Sequence, residues 1–237
     1  MIPSEAELQN GLDDFFVFWQ PRDIVSGDFY WIKSYESKVI LVVADCTGHG
    51  VPGAFMSALG VAFLNEIVSK NENLKANDIL ENLRMLVKNS LNQTDSKSES
   101  RDGMDMSLCI IDRESRKICF AGANNPLYLY RNSDLIEFQA TRNPIGIYRK
   151  EQAFESTEIN IEENDIFYMM TDGYADEFGG KNGRKFKKAG LKNLILDLNK
   201  NNTPLSAQKP IFENTINEWL GEKYEQIDDI LLLGFKV

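Results

Sequence analysis

Three apolar segments in the middle of the chain are joined by links too short for a crossover. MSLCIID (106–112), KICFAGA (117–123) and PLYLYR (126–131) are rich in β-forming residues and follow one another within a few positions. Parallel neighbours need a connection of roughly a dozen residues, so these strands run antiparallel, and the spacing predicts a meander. Asn124, Asn125 and Pro126 of GANNP then read as a hairpin turn. DFYWI (28–32) and KVILVVAD (38–45) read as a hairpin about a polar turn. Later strands are predicted at FESTEINI (154–161), DIFYMMTD (165–172) and DILLLGFKV (229–237). The run Phe15 to Trp19 is an entry strand or the end of a connector.

Helical signals fall in two places. Gly53 to Val68 is apolar nearly all round, which predicts a buried helix. From Ala76 to Leu91, residues Ile79, Leu80, Leu83, Leu86, Val87 and Leu91 follow the i, i+3, i+4, i+7 spacing of an amphipathic helix. Leu191, Leu194, Ile195 and Leu198 predict a third helix, and Ile211, Phe212, Ile216, Trp219 and Leu220 a fourth. Strands, two helices, a run of strands, two helices and a last strand make an α+β fold, with helices covering an antiparallel sheet or a pair of sheets. No repeat, low-complexity tract or Pro/Gly linker divides the 237 residues, a length that suits one large domain or two small ones. Residues 1–20 read as a connector or entry strand and 21–237 as the domain.

Charge and side-chain chemistry narrow the function. The formal net charge of −10 repels nucleic acid at long range, so no nucleic-acid partner is expected. The same carboxylate excess is what hard cations need as ligands. Cys46, Cys109 and Cys119 form no C-x-x-C pair, and their odd number argues against a disulfide framework. His49 stands alone, which excludes most zinc sites, so any metal is held mainly by oxygen. No apolar run approaches the roughly 20 residues of a membrane span, and MIPSEAELQN lacks the regions of a signal peptide, so a cytoplasmic setting is the default expectation.

Aspartates recur at the ends of apolar strands, followed by small or glycine-containing turns: Asp28 in SGDFY, Asp45 in VVADCTGHG, Asp172 in YMMTDGYAD, and Asp228–Asp229 before the last strand. Any one of them is accounted for as a turn residue or helix cap. Recurrence at separate strand ends is harder to explain that way, because converging carboxylates repel unless cations lie between them. Oxygen ligation points to Mg2+ or Mn2+. Two such ions can activate a water and neutralise a phosphoryl group, so hydrolysis of a phosphate ester needs no covalent nucleophile.

The series SGDFYW, VADCTGHGVPGAFMS, DGMDMSLCIID, AGANNPLYLY, TDGYADEFGG and EQIDDILLLG, in that order from about Pro21 to Val237, resembles the SpoIIE-like (RsbU-type) branch of the PPM metal-dependent protein serine/threonine phosphatases. The resemblance implies two stacked antiparallel sheets flanked by helices, an αββα sandwich. It implies two Mn2+ or Mg2+ ions, with Asp28, Asp45 and the backbone carbonyl of Cys46 as ligands, Asp172 on one ion and Asp228 on the other, with Asp229 as the fallback. It also implies that a cation-activated water attacks phosphorus in line while the serine or threonine oxygen leaves. Cys46 stands where many relatives have glycine, and Leu231 where relatives often have threonine, a change expected to alter local hydrogen bonding. The partners implied are a phosphorylated regulatory protein of STAS type, an upstream sensor domain in a longer chain, and a second copy in a homodimer.

Several residues carry two readings. His49 is a general acid for the leaving oxygen, as proposed near this place in the wider family, or a loop histidine bonded to backbone. Arg22 binds the substrate phosphate or forms a surface ion pair. Gly53 helps present N–H groups to an anion or makes a tight turn into a helix. Asp102 and Asp105 support a third, weaker metal, or are respectively a loop residue and an orienting group. Cys109 and Cys119 read as core. KNGRKFKK (181–188) is a flap over the site or a solvated loop. The reading as a whole is a protein serine/threonine phosphatase. Its alternatives are a degenerate PPM fold used as a binding module, disfavoured because all four aspartate positions are filled, and a metal-dependent phosphodiesterase or nuclease, disfavoured by the charge.

Overall fold

A computed structural model describes residues 3–70, 75–93 and 101–237. Helix α1 (Glu5–Gly11), opened by a Ser4–Glu7 capping box, leads into β1 (Asp14–Gln20). Strands β2 (Phe29–Tyr35) and β3 (Lys38–Cys46) form the expected hairpin. Helices α2 (Gly50–Lys70) and α3 (Ala76–Ser90) follow. Next come β4 (Met104–Asp112), β5 (Lys117–Ala123), β6 (Leu127–Arg131), β7 (Asp134–Phe138), β8 (Ser156–Asn160) and β9 (Ile166–Met170). The single turn α4 (Gly173–Asp176), the short hairpin β10 (Phe178–Gly179) and β11 (Arg184–Lys185), helices α5 (Lys187–Lys200) and α6 (Leu205–Leu220), and strand β12 (Ile230–Lys236) complete the chain.

Two five-stranded antiparallel sheets result, ordered β1-β12-β9-β6-β7 and β2-β3-β4-β5-β8. Their facing sides bury Leu41, Val43, Phe120, Leu129, Phe167 and Leu233 between them. The outer face of the β3 sheet packs under α2 and α3, and that of the β12 sheet under α5 and α6. Layering explains why the central strands read as unbroken apolar runs. Along β3, Val39, Leu41 and Val43 enter the middle core while Ile40, Val42 and Ala44 enter the helix-covered core. Along β9, Phe167 and Met169 face inward and Tyr168 and Met170 outward. A strand with a core on each side has no solvent face on which to place polar residues. The architecture is the αββα sandwich implied by the sequence resemblance.

The structure corrects the meander. β4 pairs with β5 as expected, but β5 next pairs with β8, and β6 lies in the other sheet beside β7 and β9. Asn124–Pro126 is therefore a step between sheets and not a hairpin turn. The Asn124 N–H is bonded to the Thr141 carbonyl, and Pro126 has no N–H to offer. The link is bent, with Asn124 at a φ of 59° and the Asn125 N–H turned back onto the Ala123 carbonyl at 2.7 Å, so a short link need not be a hairpin within one sheet. The sequence reading also passed over β7, although the Asn132–Ser133 turn, positive in φ at both positions, is the twist-matched connection of a tight hairpin. α2 corrects another expectation: at 21 residues it is long and apolar enough to cross a membrane by length and composition. Here its inward residues Met56, Val61, Leu64, Ile67 and Val68 lie in the core.

The middle core sets stability. Phe235 is fully buried and stacks on Phe167 with centroids 5.4 Å apart. Phe235→Ala is expected to cost ~3–5 kcal/mol in urea unfolding. Met85→Ala, on an exposed helix face, should stay within about 0.5 kcal/mol.

Candidate active site

The strand ends that carry aspartates meet at one end of the sandwich. From one sheet come Asp28, just before β2, and Asp45, near the end of β3. The register sets Asp105 of β4 directly opposite Asp45. From the other sheet come Asp172, after β9, and Asp228–Asp229, before β12. Between them opens a cleft of about 320 Å³ whose wall includes Asp45, Cys46, His49, Asp105, Asp172 and Asp228. Asp28 lies just beneath, almost fully buried.

The electrostatics are repulsive. Burial and the charges of Asp172, Asp228 and Asp105 push Asp45 up to about 9, and its carboxyl lies within hydrogen-bond reach of Asp172. Two carboxyls in such contact share a proton or a cation. Burial, then the Asp45 charge, raises Asp28 well above the ordinary range, against a lowering contribution from the Thr171 hydroxyl. Burial lifts Asp105 to about 6 and also raises Asp228, where the neighbouring Asp172 and Asp229 charges add to it. Among the described residues no group of three or more His, Cys, Asp or Glu side chains is drawn about one point as a coordination shell. The carboxylates line one cleft, with Asp45 and Asp172 held in contact against their mutual repulsion. An all-oxygen, half-desolvated set with a surplus of negative charge fits hard divalent cations, whose positive charge would take the place of shared protons. Burial raises the Cys46 thiol far above its usual range, which leaves the main-chain carbonyl as this residue's available ligand.

Neutral groups and main-chain amides hold the site. The Thr171 hydroxyl donates to Asp28 Oδ2 at 2.6 Å and accepts from the Leu231 N–H at 3.1 Å. Leu231 thus bonds through its backbone and packs its side chain into the core. Asp229, almost fully buried, accepts the Arg22 N–H and the Gly27 N–H, one on each oxygen, both at 2.8 Å. It straps the loop before β2 to the start of β12. Asp228, by contrast, faces the cleft, with Oδ1 accepting the Asp229 N–H at 2.9 Å. Ser57 of α2 donates to the Gly27 carbonyl at 2.6 Å, which fixes the helix to the same loop.

Two glycines permit this closeness. A Cβ at Gly173 would stand 2.0 Å from the Asp229 carbonyl oxygen, and one at Gly53 would stand 2.2 Å from that of Gly48. Any side chain at either place would pry the strand ends apart.

His49 lies on the cleft wall with Nδ1 2.9 Å from Asp23 Oδ2. The Arg22 guanidinium donates to the Ile227 carbonyl at 2.9 Å and is not part of the cleft wall. Asp105 accepts from Asn124 Nδ2 at 2.8 Å, so the sheet-switching segment orients it. The Asp102 carbonyl accepts from Gln93. In the basic segment, Lys185 pairs with Asp176 at 2.8 Å, and Lys188 borders a small recess beside Asp172. Cys109 is fully buried, whereas Cys119 is partly buried at the edge of the helix-covered core. Sequence reasoning missed Thr171, Asp23 and Glu177, whose contacts join segments distant along the chain. For Thr171 the signal was its place beside Asp172.

Known proteins share this fold. The family model for Stage II sporulation protein E (SpoIIE) matches residues 35–237. The SiaA-PP2C domain of Pseudomonas aeruginosa is 30% identical over 94% of this chain and 85% of its own, with a TM-score of 0.84. A structure of the PP2C phosphatase domain and a fragment of the regulatory domain of SpoIIE from Bacillus subtilis gives a TM-score of 0.74 at 19% identity, over 94% of this chain and 63% of that one. The RsbU and RsbW domains of a Mycobacterium tuberculosis protein give 0.70 at 18%, over 94% and 59%. The last two establish likeness of fold. No curated protein sequence matches the chain significantly.

Because Asp45 is held against like charge, Asp45→Asn should stabilise the cation-free protein. We expect a melting temperature higher by about 2–4 °C, as ~1 kcal/mol gives in a domain of this size, together with loss of the Mn2+-induced rise expected of the parent. Thermal unfolding with EDTA and with Mn2+ checks both. A lower melting temperature in EDTA would show that the carboxylate is not under strain.

Proposed function

The chain belongs to the SpoIIE family and is a protein serine/threonine phosphatase of PPM type, and from that premise we propose that it works with two divalent cations, Mn2+ or Mg2+, on a phosphorylated regulatory protein of STAS type. The observation that carries the metal reading is the meeting of Asp45, Asp172 and Asp228 at one cleft with the buried Asp28 close behind Asp45, and Asp45 driven to about 9 by burial and its neighbours. Asp28, Asp45 and the Cys46 carbonyl would hold the ions, with Asp172 on one and Asp228 on the other. RsbX, a solved structure of this fold at 16% identity, is described in complex with magnesium.

When bound, such ions neutralise the crowded carboxylates and the phosphoryl oxygens, and lower the pKa of a water. The chain's own residues do the rest. Strand ends from two sheets fix the carboxylates so that little reorganisation is needed as charge moves. Asp229 and Thr171 keep Asp28 and the last strand in register across the sheets. In this reading His49, at the wall of the cleft and bonded to Asp23 through Nδ1, would protonate the departing serine or threonine oxygen. The regulatory partner is inferred from the family resemblance, and the RsbU and RsbW domains found together in one matched structure are consistent with it.

The test is phosphate release from a phosphoserine protein with and without Mn2+. Release should require the cation, and Asp45→Asn and Asp172→Asn should each lower it on the order of 100-fold or more. A chain that binds no Mn2+ would instead be a PPM-fold binding module. His49→Ala should slow phosphoserine hydrolysis on the order of 100-fold but slow an aryl phosphate far less, because its leaving group needs no proton. Equal losses on both substrates would remove His49 from the acid role.

A further inference from the structure

Glu177 is fully buried, directly after α4. Its carboxylate faces main chain. Both oxygens accept the Ile227 N–H at 3.1 Å, and Oε1 also accepts the Asp228 N–H at 3.2 Å. Its own carbonyl accepts the Phe186 N–H at 2.9 Å and the Trp219 indole N–H at 3.2 Å, so α6 and the entry to α5 fix it from behind. A carboxylate in such a place is costly to desolvate, and ionised acceptors grip amides roughly twice as strongly as neutral ones. What it grips is the segment that carries Asp228. Asp228 Oδ1 in turn takes the Asp229 N–H, which orients the carboxylate whose residue lines the cleft. On the far side, Asp229 takes the amides of Arg22 and Gly27. The segment is thus held between two buried carboxylates, Glu177 from the helix side of one sheet and Asp229 toward the loop of the other.

We propose that Glu177 is a positioning residue for the metal centre: by holding the Ile227 and Asp228 amides it aims the Asp228 carboxylate into the cleft and so sets cation affinity. The inference rests on the reading of Asp228 as a cation ligand. Groups that orient a ligand typically contribute 10–100-fold to metal affinity.

The experiment measures Mn2+ binding by calorimetry and the Mn2+ dependence of p-nitrophenyl phosphate hydrolysis, for the parent, Glu177→Gln, Glu177→Ala and Asp228→Asn. The expected result for Glu177→Gln is Mn2+ binding weaker by about 10-fold or more, with a melting temperature in EDTA close to the parent's. Turnover should fall chiefly through the Mn2+ requirement, so that added Mn2+ recovers most of it. Glu177→Ala, which leaves the amides unpaired, should bind more weakly still. Should it fail to fold, the near-isosteric Gln variant decides alone. Parental Mn2+ affinity in Glu177→Gln, whether or not its melting temperature falls, overturns the proposal and leaves Glu177 a purely structural anchor. Parental Mn2+ affinity in Asp228→Asn overturns the ligand reading itself, whatever Glu177 does.

Discussion

Asp45 and Asp172 approach from different sheets until their carboxyls come within hydrogen-bond reach, with Asp105 and Asp228 close enough to add to the repulsion. Left to themselves, such groups would move apart or take up protons. The fold prevents the first. Asp45 is locked by the β3–β4 register, Asp172 by the end of β9, and both strands are buried on each face by aliphatic and aromatic side chains. Hydrophobic burial over the sandwich therefore offsets a local electrostatic penalty at its mouth, the usual division between a stabilising scaffold and a strained site. The penalty is what makes the site receptive to divalent cations.

Much of the structure around the cleft makes sense as restraint on that repulsion without adding positive charge. Thr171 supplies a hydroxyl to Asp28, and Asp229 and Glu177 collect main-chain amides. Lysine or arginine in those places would neutralise the carboxylates directly and compete with cations for them. Amides and hydroxyls fix position while leaving the net negative charge for a ligand to balance. Gly53 and Gly173 belong to the same economy of space, since carbonyl groups sit where their side chains would be.

The sequence disclosed strands, helices and the aspartates that end strands, because these follow local rules. Apolar runs mark buried strands, and an aspartate beside a glycine marks a strand end. It did not disclose that β6 changes sheets. The link through Asn124, Asn125 and Pro126 is as short as a hairpin, and a short link constrains direction only. Nor did it separate Asp228 from Asp229. Adjacent in sequence, they point to different tasks because successive residues near a strand face opposite ways, one to the cleft and one to the amides of Arg22 and Gly27. Glu177 was invisible for a related reason. Its partners lie some fifty positions away, and a glutamate in a charged, glycine-rich stretch reads as solvated surface until burial is known.

The sheet switch that escaped the sequence reading also bears on the chemistry. The segment leaving β5 brings Asn124 onto Asp105, so that carboxylate is met by a neutral donor, while β4 holds it opposite Asp45. A simple meander would have kept β6 beside β5 in one sheet and left the β9 edge unpaired on that side. By crossing, the chain instead completes the second sheet, on which Asp172 and Asp228 depend for their positions. The two halves of the carboxylate set thus owe their meeting to a three-residue step. The topology that closes the middle core is the same one that brings the like charges together.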